Sequence, residues 1–105
     1  MSQTNGISPR YKVRCSTQVA QLLKRLHQEA AEVNWGSQFV KSLQIIYRRL
    51  KDNPLKFGEP LFRLPGMNLT VYNHTVLPLA VDYAVHEGLQ LVFLQNAHLL
   101  LPPQP

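Results

Sequence analysis

Residues 53–66 read Asn-Pro-Leu-Lys-Phe-Gly-Glu-Pro-Leu-Phe-Arg-Leu-Pro-Gly, and the hydrophobic period of the chain changes across them. On the N-terminal side, Val19, Leu22, Leu23, Leu26, Ala30 and Val33 repeat at steps of three and four, the spacing that lines one face of a helix. Phe39, Val40, Leu43, Ile46, Tyr47 and Leu50 form a second such stripe. Ser16 or Thr17 is placed to cap the first helix and Ser37 the second, with Asn34 and Gly36 breaking the chain between them. Asn53-Pro54 ends the second helix, because a proline disfavours helical geometry in the residue before it.

After Pro60 the period falls to two. Leu61 to Leu64, Leu69 to Val76, Leu79 to Val85 and Leu89 to Gln95 read as strands, with Pro65-Gly66, Leu77-Pro78 and Glu87-Gly88 as the breaks between them. Connections this short join antiparallel neighbours, so these four strands are expected to form a meander. Upstream of the helices, Tyr11, Val13 and Cys15 alternate with Arg10, Lys12 and Arg14, a strand with one apolar and one cationic face. The order is β-α-α-β-β-β-β: an α+β fold in which a helical hairpin buries its stripes on one face of a mainly antiparallel sheet and leaves the other face open.

A chain of 105 residues holds one core, read here as a domain over residues 10–101 between a polar tail, 1–9, and a proline-rich tail, 102–105. The hydrophobic fraction of 45% and charged fraction of 16% belong to a globular protein rather than a disordered one. Cys15 is the single cysteine, which excludes an intrachain disulfide and favours a reducing, cytoplasmic address. No apolar run approaches the roughly 20 residues of a membrane span. No pair of the four histidines has the short spacing of a metal site. Gly-rich phosphate loops, Ser elbows and Cys-His signatures are missing too, so no metal or cofactor is expected. The net charge of +5 and pI near 9.7 attract phosphate-rich partners.

The stretch 53–66 resembles the junction of the RelE/ParE toxin superfamily, where a helical hairpin ends at a similar proline and a Gly, a Pro-Leu pair and a Leu-x-Gly lead into the meander. Leu79-Ala-Val-Asp-Tyr-Ala-Val85 is similar to that family's penultimate strand, with Tyr83 at its aromatic position, and Leu89 to Leu94 to its final strand. The resemblance implies a helical hairpin on a curved sheet. It also implies the activity of a toxin, either a ribosome-dependent messenger RNA endonuclease or a gyrase poison, held inactive by a small antitoxin-like protein. The family's typical arginine in the strand of Tyr83 aligns with Ala80, another falls near His74-Thr75, and the last strand has none. Cleavage is therefore left open, while Lys51, Lys56 and Arg63 stand where some members carry useful cations.

Cutting RNA through its 2′-hydroxyl requires a base, an acid and cations that hold the developing phosphate charge. The expected constellation is His74 as acid or base, Tyr72 as a stacking surface and Lys12, Arg14 and Arg63 as phosphate binders, all on one open sheet face. His98 is the second acid/base candidate, whereas His27 and His86 are read as structural. Tyr47 and Trp35 are expected to pack, Lys41 and Arg48 to face solvent, and Arg49 to point to another side of its helix. Two functions follow as alternatives: a toxin-like protein that binds RNA or the ribosome through a basic sheet face, or a catalytically inactive module of the same fold that holds an antitoxin-like peptide or a second copy.

Overall fold

The computed structural model describes residues 10–101; the two expected tails lie outside the described residues. The first strand, β1 (Lys12–Cys15), runs directly into α1 (Thr17–Glu32), and Ser16 caps that helix by accepting a hydrogen bond from the backbone N–H of Val19 at 3.1 Å. Asn34 then takes a left-handed φ of 65°, and the N–H of Trp35 bonds back to the carbonyl of Ala30 at 2.7 Å, which turns the chain into α2 (Gly36–Asp52). The expected Ser37 cap is not used, because α2 already begins at Gly36 and has no side-chain cap. Pro54 ends α2 and opens a single further turn, α3 (Pro54–Phe57), which the sequence reading did not contain. Proline suits that first position since it has no N–H to leave unpaired.

The rest of the chain is β2 (Glu59–Leu64), a 3-10 turn over Pro65–Met67, β3 (Leu69–Val76), β4 (Leu79–His86) and β5 (Leu91–Leu99). The five strands form one sheet in the order β1-β5-β4-β3-β2. β2 to β5 make the antiparallel meander, and β1 joins its edge parallel to β5. The last strand starts later than its sequence suggests, since Gln90 takes a φ of 52° in the preceding turn, and it continues to Leu99. Buried Ser42 of α2 donates its hydroxyl to the carbonyl of Leu77 at 2.7 Å, tying the helix to the β3–β4 turn, where the Leu77–Pro78 peptide is cis.

Both helices cover the same side of the sheet. Val19, Leu26 and Ala30 of α1 and Phe39, Ile46 and Leu50 of α2 share one core with Tyr72, Leu79, Val81, Tyr83, Val85, Val92, Leu94 and Ala97. Tyr11 and Val13 pack against it, so the apolar side of β1 turns inward and its cations outward, as the alternation requires. The stripe of α2 is narrower than its sequence suggests: Tyr47 is 49% exposed instead of packed, while Trp35 does lie against the core. A second, smaller cluster, Leu69, Val71 and Ala84 with Leu64 and Phe93, occupies the opposite face. Among the described residues no helix is long and apolar enough to cross a membrane.

Candidate functional site

The stretch 54–58 is anchored by Tyr83. Its buried hydroxyl donates to the carbonyl of Pro54 at 2.6 Å, and burial first, then the neighbouring Tyr72, push its pKa well above the ordinary phenol range. Gly58 is needed for this contact: a Cβ there would collide with the Tyr83 hydroxyl and lie 2.9 Å from its ring carbon and 3.1 Å from the Cβ of Tyr72. Gly58 of the motif is thus explained by one buried tyrosine. With α3 fixed in this way, the Phe57 ring lies beside the last turns of α2.

There the Arg49 guanidinium sits over the Phe57 ring, 5.0 Å from its centroid, and its Nη1 is 3.0 Å from Nε2 of His74 on β3. The Phe57 and His74 rings are 6.3 Å apart and tilted by 45°. Because a guanidinium only donates, Nε2 must accept, which makes His74 a neutral imidazole with its proton on Nδ1. Burial first, and then the positive charge of Arg49, hold its pKa below the ordinary value of 6.5. Among the described residues the ion pairs are Arg25 with Glu29 and His98 with Asp82, so no carboxylate neutralises Arg49. The sequence reading had sent Arg49 to an unspecified side of α2; it is the functional candidate that reading missed.

The register separates the residues that were expected to share one open face. Side chains directly opposite in a ladder lie on the same face, and Arg63 pairs with Thr70, which pairs with Val85 of the helix-covered core. Arg63, Tyr72 and His74 therefore occupy the helix side. Arg14 instead pairs with Phe93, which pairs with Ala84 and through it with Val71, the open face, where Lys12 also lies. A single cationic sheet face holding Lys12, Arg14 and Arg63 is thereby corrected: the cations divide between two sides.

Tyr72 is corrected as well. It is 8% exposed and stacks on Tyr83 with centroids 5.4 Å apart and an interplanar angle of 10°, so it presents no free ring to a base. Its pKa is raised by burial, then by Glu87 and Tyr11, and drawn down by Arg63, which puts the Arg63 charge beside it on the helix side. The exposed aromatic at this end is Phe57. Lys56 lies exposed on α3 next to Phe57, while the Lys51 ammonium sits 5.3 Å from the Tyr47 ring on another flank of α2.

His98 is on the open face opposite Ala80, within one register position of His74 but two strands away and on the other side of the sheet. Its Nε2 is 3.9 Å from Oδ2 of Asp82, whose Oδ1 accepts from the Asn73 amide at 2.8 Å. The two histidines cannot serve one reaction as acid and base. Among the described residues no three His, Cys, Asp or Glu side chains are gathered as a metal site. The chain matches no protein-family model and no curated protein.

Proposed function

We propose that this is an RNA-binding protein of RelE/ParE-like build whose site is the helix-side flank formed by Arg49, Phe57 and His74, with Lys56 at its rim and Arg63 farther along the same face, opposite Thr70. The observation that carries the proposal is the contact between a guanidinium without a carboxylate and a neutral imidazole. A cation without an acidic partner is available to a phosphate, and the part of the Phe57 ring that Arg49 leaves exposed offers a surface for a base. The toxin identity and an antitoxin-like protein partner belong to the same proposal and rest on the motif at residues 53–66.

Endonucleolytic cleavage is the most demanding form of this function. An incoming phosphate offers Arg49 a stronger acceptor than the imidazole, and as the guanidinium turns to it, Nε2 of His74 is released. Nε2 then takes the proton of the 2′-hydroxyl while its oxygen attacks phosphorus, and Arg49 holds the charge that grows on the phosphoryl oxygens. The bond to the 5′ oxygen breaks, and that oxygen is protonated by solvent or by the imidazolium.

The test compares binding of a fluorescent single-stranded RNA to the wild type, Arg49→Ala and Arg14→Ala across a salt series. Arg49→Ala is expected to weaken binding about tenfold and to lower the salt slope by about one, whereas Arg14→Ala changes little. Wild-type affinity in Arg49→Ala would remove this function and leave the protein-interaction alternative.

A further inference from the structure

Two clefts meet on the far flank of α2. One, of about 540 Å³, is lined by Arg10, Gln44, Tyr47, Arg48, Lys51 and Asp52. The other, of about 410 Å³, has mainly apolar walls that include Val13, Leu23, Leu43 and Leu94, and it shares Gln44 and Tyr47 with the first. The pair has a size usual for small-ligand sites. Arg10 is brought to α2 by the hydrogen bond from the N–H of Tyr11 to the carbonyl of Lys51, at 2.9 Å. None of Arg10, Arg48 and Lys51 is ion-paired among the described residues, so the first cleft holds three cations against the one carboxylate of Asp52.

We infer that these joined clefts bind one nucleotide of a single-stranded RNA, its phosphate among Arg10, Arg48 and Lys51 and its base in the apolar cleft against Tyr47. The two halves of a nucleotide match the two halves of the site: an anionic phosphate needs unpaired cations, and a flat, weakly polar base needs an apolar slot with an aromatic wall. Gln44, standing at the border, carries a donor and an acceptor for a base edge. Asp52 is placed to accept from a ribose hydroxyl or an amino group.

The ligand class rests on the RNA reading above and extends it in space. On a helix that turns about 100° per residue, Tyr47 and Lys51 project almost opposite to Arg49. The two sites therefore stand on either side of α2, about 10–12 Å apart by the width of a helix. A strand that crosses the end of α2 from Arg49 covers that width with about three stacked nucleotides at about 3.4 Å each.

Two measurements on the full chain test this. In the first, 5′-AMP, inorganic phosphate and hexyl phosphate are titrated while backbone amide shifts are followed. AMP is expected to shift the amides of Gln44, Tyr47, Arg48 and Lys51 and to bind more tightly than phosphate, with Tyr47→Ala cutting its affinity at least fivefold. Tighter binding of hexyl phosphate than AMP, or AMP shifts confined to Arg49 and His74, overturns the assignment. In the second, single-stranded RNAs of two to eight nucleotides are compared. A gain in affinity near four nucleotides should vanish in Tyr47→Ala and persist in Arg14→Ala, on the opposite face of the sheet. A gain that persists in Tyr47→Ala sinks the nucleotide cleft while leaving the Arg49 site intact, and loss of binding in Arg49→Ala separately scores that site.

Discussion

Substituting Gly58 by Ala puts one methyl group where the Tyr83 hydroxyl already is. The backbone at Gly58 has φ −105° and ψ 161°, extended values open to any residue, so the cost is steric alone. The ring can retreat only by disturbing its packing, because Tyr83 is 0% exposed and stacked on Tyr72. Overpacking of this kind costs about 1–3 kcal/mol. Displacing the hydroxyl also leaves the Pro54 carbonyl without its donor, for about 1–3 kcal/mol more, offset by about 0.4–1 kcal/mol from the stiffer unfolded chain. The expected destabilisation is about 3 kcal/mol, a large share of the 5–15 kcal/mol that holds a domain together. Tyr83→Phe by itself loses only the hydrogen bond. With both changes together the colliding oxygen is gone, so Gly58→Ala should cost at least about 1 kcal/mol less in the Tyr83→Phe background, a coupling measurable by urea unfolding of all four proteins. Strict additivity would show that the glycine is not there for the tyrosine, and the account of how α3 is fixed would fail with it.

A pH dependence follows from His74. Its folded pKa is held below 6.5, so the unfolded chain binds the extra proton first as pH falls. Stability is therefore full above about 6.5 and declines from there down through the folded pKa. His74→Gln keeps an acceptor for Arg49 but cannot titrate, and its urea midpoint should be flatter between pH 7 and 5; an unchanged slope would contradict the neutral imidazole. Ser42→Ala should cost about 1 kcal/mol in thermal or urea unfolding, since it strips the Leu77 carbonyl of its donor. No loss would mean that water replaces the hydroxyl.

The meander was legible because β2 to β5 are short runs rich in apolar, β-branched and aromatic residues between strong turn residues, and β3 has the bounds its sequence gives it. The hairpin was legible from its two stripes. The pairing of β1 with β5 was not, because it joins residues some 80 positions apart, such as Val13 and Val92, and no local pattern carries that partner. Nor was the exposure of Tyr47, since a wheel assigns a stripe by angle alone, whereas the sheet beneath α2 stops at β1, which is an edge. Arg49 escaped for a related reason: α2 meets β1, β3 and β4, so residues well off the stripe still touch the sheet.

The face of His74 was the decisive ambiguity, because β3 is apolar on both sides: Leu69 and Val71 on one, Tyr72 and Val76 on the other. Counting within β3 cannot choose between them. The neighbouring strand can. Val76 and Leu79 pair across the two-residue Leu77-Pro78 turn, and from that pair the register runs back to Asn73 opposite Asp82. An aspartate between Val81 and Tyr83 avoids a core that holds both of them, so Asp82 marks the side without helices, and Asn73 must share it. His74, one residue on, is then forced to the helix side, within reach of α2. The site was thus encoded in the length of one turn and the position of one carboxylate, and it becomes readable only when two strands are considered together.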